Sequence, residues 1–414
     1  MNILRTSYLD RLMRHRQNGL IKIVTGCRRC GKSYLLFRQF IPALKSEGTD
    51  DGHIIAIALD DRENKELRDP DNMLVFVKSK IGDSKTHYIL LDEVQYLEEF
   101  EDVLNSFLHI ENLEVYVTGS NSRLLSKDVI TTFRGRGDEI RIHPLSFREY
   151  VSAFKGSIDE AWESFVLYGG MPFILSMQSD EDRAEYLKSL FEKIYVADIL
   201  ERYKVRNRNE LDELLDILSS AVGSLTNPGK LSRSFKSIKN KTISDNTVRK
   251  YISHFEDAFL LSRASRYNIK GKRYINATCK YYFEDIGLRN ARLGFRQTEE
   301  SHLMENILYN DLLIRGYSVD VGVVEQNVQI NKKNGKVQLE IDFVASKGAE
   351  RFYIQLALNL DDAEKRSKEL RPLQKVEDSF KKIIVVKEHR KPRPNEDGFI
   401  IVGIREFLLA DSIS

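Results

Sequence analysis

Ile21-Lys22-Ile23-Val24-Thr25-Gly26-Cys27-Arg28-Arg29-Cys30-Gly31-Lys32-Ser33-Tyr34-Leu35-Leu36-Phe37 is the stretch that decides the fold. Its first five residues read as a buried strand, Tyr34 to Phe40 as a helix, and the turn between them fits G-x-x-x-x-G-K-[ST]. Gly26 and Gly31 tolerate backbone angles that turn successive N–H groups toward one anion. Lys32 is long enough to reach β- and γ-phosphate oxygens, and the Ser33 hydroxyl suits Mg2+. A helix beginning near Lys32 aims its positive end at the same point. The expected nucleotide contacts are therefore Gly26, Cys27, Arg28, Arg29, Cys30, Gly31, Lys32, Ser33 and Tyr34, with ATP and Mg2+ as ligands. The alternative is an ordinary glycine-rich turn.

Around this stretch lie 414 residues, too many for one typical core, so two or three domains are expected. With 42% hydrophobic and 30% charged residues the chain reads as soluble and globular. A net charge of +2 says little about partners, so its distribution must be read instead. There is no apolar run of about eighteen residues, and no transmembrane helix is expected. Met1 to Ser7 lack the apolar core of a signal peptide. Cys27, Cys30 and Cys279 are too few for a disulfide framework, which fits a reduced, cytoplasmic setting. Cys27-x-x-Cys30 has zinc or redox spacing, but no second Cys or His pair accompanies it. Both read as fillers of the phosphate loop.

Downstream, apolar strands alternate with helical stretches, the pattern of a parallel sheet with crossover helices. Strands are expected at 21–25, 53–59, 88–91, 115–118 and 140–142. The third closes on Asp92-Glu93, at the strand end where such sheets bind ligands. Asp92 is thus a candidate Mg2+ ligand beside Ser33, and Glu93 a candidate base for the attacking water. Otherwise the two acids decorate a helix start. Ser120 and Asn121 follow the fourth strand and either reach the γ-phosphate or form a turn. Arg134 and Arg136 precede the fifth, as an arginine finger for a neighbouring subunit or as a solvated loop. Lys32, Glu93 and Arg136 make the candidate catalytic set, and an arginine finger implies a homo-oligomer.

Gly26 to Ser33, Tyr88-Ile-Leu-Leu-Asp-Glu-Val-Gln95 and Tyr116-Val-Thr-Gly-Ser-Asn-Ser122 resemble the AAA+ P-loop ATPases of bacteria and archaea. His143-Pro-Leu-Ser-Phe-Arg-Glu-Tyr150 and Tyr168-Gly-Gly-Met-Pro172 are similar to later motifs of a narrower group. In that group a winged helix and a restriction-endonuclease-like domain follow the ATPase. The resemblance implies an α/β P-loop NTPase (AAA+/ASCE) parallel sheet at 1–145 and a helical, lid-like region at 146–222. It implies a winged-helix-like domain at 223–283 and an α/β restriction-endonuclease-like domain at 284–414. It also implies that Lys32 and Ser33 bind phosphate and Mg2+, Asp92 binds Mg2+, Glu93 activates water, and Ser120 and Asn121 act as sensor.

From Phe147 to about Val222 the spacing is helical, and Leu211 to Leu218 shows the recurrence of a buried face. Asn227-Pro228-Gly229 breaks the pattern. Two more helices are expected. In the second, Ser244 or Asp245 suits the N-cap, Val248, Ile252 and Phe255 turn inward, and Arg249 and Lys250 face outward. Leu260 to Phe283 reads as two strands joined by Lys270-Gly271-Lys272, which completes a winged helix-turn-helix layout. From Pro228 to Arg273 twelve Lys or Arg stand against three Asp or Glu, a local balance of +9. Such a surface suits DNA or RNA phosphates. A solvated face, or a docking surface for an acidic domain of the same protein, are the alternatives. No aromatic ladder interleaves the charges, which disfavours single-strand stacking.

Tyr281-Tyr-Phe-Glu-Asp-Ile-Gly-Leu288 resembles the linker into the last domain of that group. Restriction-endonuclease-like enzymes set an acid on a helix, an Asp on one strand and Glu-x-Lys on the next. The matching positions here are Glu305, Asp342 and Gln355, with Ala357 where the lysine belongs. Lacking a cation and a carboxylate, the segment is expected to keep the fold without an intact hydrolytic site. The chain thus reads as a Mg2+-dependent ATPase coupling its ATP or ADP state to nucleic-acid binding through residues 228–273. A nucleotide-dependent scaffold with little turnover and an ATP-controlled endonuclease are the competing readings.

Overall fold

Strands buried on both faces must be apolar along their whole length, and this requirement organises the amino-terminal third of the chain. The computed structural model describes residues 3–119, 135–239, 242–296, 299–330 and 333–413. They divide into two units, Met1–Pro144 with Asp257–Phe259 and Leu145–Glu256 with Leu260–Ser414. In the first, five described strands form one wholly parallel sheet: β1 (Ile21–Thr25), β2 (Ile54–Ala58), β3 (His87–Asp92), β4 (Leu113–Thr118) and β5 (Gly137–Arg141). Their spatial order is β2-β3-β4-β1-β5. β1 and β3 are buried at every position. Lys22 is the charged exception in β1; its ammonium pairs with Glu114 on β4 and lies over the Tyr116 ring. A buried charge is tolerable when so paired and strongly destabilising when its partner is removed. The core on one face joins Ile21, Ile57, Ile89 and Val117 to Met73 and Val77 of the Pro70–Lys80 helix and Leu104 and Phe107 of the Phe100–Phe107 helix. Because β4 lies between β1 and β3, whatever ends β4 stands between the phosphate-loop strand and the acidic strand.

The second unit begins with helices Phe147–Ala153, Ile158–Tyr168, Asp180–Leu190, Ala197–Tyr203 and Arg208–Ser220. Capping boxes, Ser146 with Glu149 and Ser157 with Glu160, set the first two starts. Asn227 accepts the Lys230 N–H at 2.7 Å, so the expected break is also the cap of helix Pro228–Lys239. Ser244 accepts the Thr247 N–H at 3.1 Å at the start of helix Asp245–Asp257. That helix buries Val248, Tyr251, Ile252 and Phe255 and leaves Arg249 and Lys250 exposed.

β6 (Leu261–Asn268) and β7 (Arg273–Phe283) form the expected antiparallel hairpin. The hairpin does not stand alone: β6 pairs in parallel with β8 (Ser318–Ile330), which pairs with β9 (Lys333–Lys347). β10 (Glu350–Ala357), β11 (Lys381–Val386), β12 (Arg393–Pro394) and β13 (Ile400–Gly403) complete an eight-stranded sheet in the order β12-β13-β11-β10-β9-β8-β6-β7. A boundary between residues 283 and 284 therefore falls inside one hydrogen-bonded unit, because the hairpin strands and the later strands share a sheet.

The Tyr168–Pro172 motif packs against the segment after β7. Asp285 accepts the Gly170 N–H at 2.7 Å and the Leu288 N–H at 3.0 Å, and Asn290 donates to the carbonyls of Val166 and Leu167. At Gly169 φ is +73°, and a Cβ there would stand 2.3 Å from the Asp285 carboxylate. Only glycine permits that approach. Burial raises Asp285 to about 6 despite three backbone donors. Among the described residues no helix is long and apolar enough to cross a membrane.

Candidate functional site

The loop after β1 leaves Thr25 at Gly26, where φ is +141° and a Cβ would lie 2.1 Å from the Ile142 carbonyl oxygen. A residue without a side chain is needed for the loop to pass so close to the segment after β5. Cys27 and Cys30 are fully buried free thiols, and Cys30 Sγ donates to the Ile142 carbonyl at 3.6 Å. Arg5, itself buried, braces the loop by donating to the carbonyls of Cys30 at 3.1 Å and His143 at 2.8 Å. Arg29 and Gly31 take φ +67° and +103°, and the helical turn Lys32–Tyr34 starts at once, widening to a π-helix over Leu35–Phe40. Lys32 is buried, and its ammonium curls back to the carbonyls of Gly26 at 3.1 Å and Cys27 at 3.0 Å. Arg28 is half-buried; Arg29 and Tyr34 are exposed.

At the carboxyl end of β3, burial raises the Asp92 carboxyl above the usual range, although the Thr118 and Ser33 hydroxyls both donate to it. Thr118, the last residue of β4, joins the two acids: its Oγ1 donates to Asp92 Oδ1 and accepts the Glu93 N–H at 2.9 Å. Glu93 holds φ +52° and ψ +54°, a left-handed conformation that costs a residue with a side chain roughly 1–2 kcal/mol. Gln95 donates from Nε2 to its carboxylate. Sequence reasoning missed Thr118. Its signal was slight, a single polar residue closing the apolar run Val115-Tyr116-Val117.

The structure thus brings the 26–33 loop, Asp92, Glu93 and Thr118 together at the carboxyl ends of β1, β3 and β4. Arg136 is not among them. Its carbonyl accepts the Ile21 N–H at 2.9 Å, and parallel pairing sets Gly137 opposite Ile21. It stands at the amino end of its strand, roughly 16 Å of strand away from the loop of its own chain. Ser120, Asn121 and Arg134 lie outside the described residues.

In the second unit Glu305 from helix Glu300–Ile314 meets Asp342 of β9 and Gln355 of β10. Gln355 Oε1 accepts the Asp342 N–H at 3.4 Å, and Asp342 accepts the Leu356 N–H at 2.8 Å. A cation from β7 stands beside these groups. Lys280 Nζ lies 2.7 Å from Glu305, 2.8 Å from Glu340 and 3.8 Å from Asp342. Tyr282 donates to Glu305 at 2.6 Å. Burial opposes the ammonium, but Glu305, Asp342 and Glu340 outweigh it and hold Lys280 above the usual lysine range. Three carboxylates around one ammonium leave an excess of negative charge. Burial, and then the charge of Glu305, raises Asp342 to about 7.

Some of the described cations between residues 228 and 273 are committed within the chain, among them Lys230, which donates to the Leu225 carbonyl at 2.9 Å. Arg266 is buried against Thr278 and Gln338, and Lys270 pairs with Glu377 at 2.8 Å. Arg233, Lys236, Arg249, Lys250, Lys272 and Arg273 are exposed.

A family model described as an AAA domain matches residues 18–151, and one described as a domain of unknown function matches residues 159–299. An uncharacterized protein of Haemophilus influenzae is 31% identical over 413 residues, covering 98% of each chain. Another, of Methanocaldococcus jannaschii, is 27% identical over 362 residues, 83% of this chain and 76% of that one. Among solved structures, a Walker-type ATPase of Pyrococcus abyssi is similar at 17% identity, over 70% of this chain and 96% of that one, with a TM-score of 0.47.

Proposed function

We propose, on the premise that this chain belongs to one family with the Haemophilus influenzae protein and carries an AAA-type P-loop ATPase domain, that it is a Mg2+-dependent ATPase whose nucleotide state controls nucleic-acid binding. The observation that carries the reading is the meeting of the phosphate loop, the Asp92-Glu93 pair and Thr118 at one edge of the sheet. Ser33 and Asp92 already touch through a hydrogen bond and offer only oxygen donors, the set that hard Mg2+ takes together with phosphate oxygens. Bound there, the ion would neutralise charge on the triphosphate. The N–H groups of Gly26, Cys27, Arg28, Arg29, Cys30, Gly31 and Tyr34 surround the phosphates in this reading. Lys32 exchanges two neutral carbonyls for anionic oxygens, a stronger class of hydrogen bond. Glu93, held by Thr118, takes the proton of the attacking water. Asn121 is assigned to the γ-phosphate of its own chain. Arg136, at the far end of β5, is assigned to the site of a neighbouring copy in a homo-oligomer.

For the nucleic-acid part, support comes from three helices in succession, a hairpin, and an isolated antiparallel bridge between Thr226 and Cys279 of the hairpin. This is a winged-helix-like layout, with Arg249 and Lys250 facing solvent as phosphate contacts. The test joins both parts: phosphate release with ATP and Mg2+, and salt-dependent binding of duplex DNA. Release vanishes in Lys32→Ala, ATP stays bound in Glu93→Gln, and DNA affinity differs between ATP and ADP and drops in Arg249→Ala/Lys250→Ala. Equal release from wild type and Lys32→Ala ends the reading.

A second reading rests on Lys280. Beside Glu305 and Asp342 it offers the cation that Ala357 does not, while Gln355 still stands in the place of a carboxylate, and this favours a metal-dependent phosphodiesterase in a restriction-endonuclease-like domain. Plasmid nicking with Mn2+ that disappears in Asp342→Ala supports it; no nicking at all refutes it.

A further inference from the structure

The amino end of the first sheet, opposite the phosphate loop, carries a cluster that the ATPase chemistry does not use. β2 and β3 pair in parallel with Ile54 opposite Tyr88. The residues just before them, His53 and His87, therefore come side by side, with ring centroids 4.7 Å apart. Asp83, in the turn leading into β3, faces them: its two carboxylate oxygens lie 3.0 and 3.2 Å from His53 Nε2. One ligand atom from each of His53, Asp83 and His87 lies within 4.8 Å of the others.

Their surroundings hold these groups as a metal site requires. His87 is buried, and its Nδ1 lies 2.9 Å from the Lys85 carbonyl oxygen. A carbonyl only accepts, and at 2.9 Å it outweighs the Asn112 amide 3.5 Å from the same nitrogen, which favours the proton on Nδ1 and leaves Nε2 its lone pair. That is the tautomer and the carbonyl partner typical of metal-binding imidazoles. Asp83 is oriented by its own turn, accepting the Lys85 N–H at 2.9 Å. Asn112, just before β4, donates from Nδ2 to the carbonyls of Asp83 and Lys85, each at 2.9 Å, and fixes the turn from the neighbouring strand. Asp50 Oδ2 stands 3.9 Å from the other nitrogen of His53. His53 and Asp83 are 13% and 48% exposed in their side chains, so an ion and a water have access.

We infer that His53, Asp83 and His87 form a binding site for a divalent metal ion of the zinc class. Two imidazoles and one carboxylate suit Zn2+ and its neighbours rather than Mg2+, which prefers oxygen alone. Three protein ligands with solvent in the fourth position satisfy tetrahedral zinc. Tetrahedral ligands about 2.0–2.2 Å from one ion lie roughly 3.3–3.6 Å apart, so separations within 4.8 Å close by at most about 1.5 Å. The ion joins the starts of β2 and β3, and β3 is the strand that ends in Asp92 and Glu93. It is distinct from the Mg2+ of the nucleotide site in position and ligand type. Sequence spacing did not reveal it, because His53 and Asp83 are thirty residues apart and only strand register joins them.

The test uses the full chain, stripped with a chelator and free of nucleotide. Zn2+ is titrated against a chromophoric chelator, and Co2+ is added in its place for absorption spectroscopy. One equivalent of Zn2+ binds at micromolar or lower concentration, and Co2+ gives visible d–d bands of a four- or five-coordinate site. Affinity falls roughly tenfold or more in His53→Ala and in Asp83→Asn. Asp83→Asn is isosteric and keeps the turn oxygen, so it reads out the site even if the alanine variant folds poorly. The inference is overturned if no equivalent binds, if Asp83→Asn binds as tightly as wild type, or if Co2+ shows thiolate charge-transfer bands, which would assign the ion to Cys27 and Cys30.

Discussion

Replacing Thr118 with valine keeps the volume of a fully buried side chain and removes one hydroxyl. That hydroxyl donates to Asp92 and accepts the Glu93 N–H at 2.9 Å. Loss of a hydrogen bond to a charged group costs roughly 1.5–3 kcal/mol, and an unmatched buried N–H about 1–3 kcal/mol more. Part is regained, because the Ser33 hydroxyl still donates to Asp92. A net loss of roughly 2–4 kcal/mol is expected, or about 6–13 °C in the melting temperature of a unit of this size. Function falls by a separate route. Without its Thr118 partner, Glu93 relaxes from φ +52° and its carboxylate leaves the reacting position. Turnover should drop at least about tenfold, equivalent to about 1.4 kcal/mol of barrier. ATP affinity should change by less than about threefold, since the Lys32 loop is untouched. Thr118→Ser, which keeps the hydroxyl and loses one methyl, should cost only about 1 kcal/mol and retain turnover. Scanning calorimetry, nucleotide titration and phosphate release separate these effects. A valine variant that melts within a degree of wild type and hydrolyses ATP as fast would refute the bridging role, as would a serine variant equally impaired.

Gly26→Ala forces a Cβ to 2.1 Å from the Ile142 carbonyl at φ +141°, so ATP–Mg2+ affinity should fall by about tenfold or more in titration calorimetry; unchanged affinity would show that the loop passes elsewhere. Stability should decline as pH rises between about 6 and 7. The folded Asp342 carboxyl keeps its proton up to about 7 whereas the unfolded one releases it near 3.8, so in this window the folded state binds more protons and loses stability with rising pH. Asp285 and Asp311, raised to about 6 by burial, act with the same sign at lower pH, and His389, raised by its bonds to Glu406 and Asp159, adds to the upper window, so the Asp342 variant is what isolates that carboxyl. Asp342→Asn should remove a slope of up to about 1.4 kcal/mol per pH unit, measured by urea unfolding; the same slope in the variant would contradict the assignment.

What the chain announced by itself were features set by neighbours along the backbone. The G-x-x-x-x-G-K-S spacing marks a turn with special angles, and Gly26 and Gly31 do hold φ +141° and +103°. Apolar runs at 21–25 and 88–91 state that these strands are buried on both faces, Asn227-Pro228-Gly229 states a break, and Ser244 or Asp245 states where a helix starts. The alternation that puts Glu340 and Asp342 on one strand face, and Gln355 and Ala357 on one face of the next, was equally legible, since side chains two apart share a strand face. Alternation assigns a face, however, and leaves the neighbour unnamed. Only pairing in space set β4 between β1 and β3, which gives Thr118 its two acidic partners. Pairing likewise sent Arg136 to the far end of β5 and brought His53 next to His87. It also carried Lys280 from the hairpin to the carboxylates of a later strand and helix. Such partners are chosen by register and burial across long stretches of chain, and no local pattern records that choice.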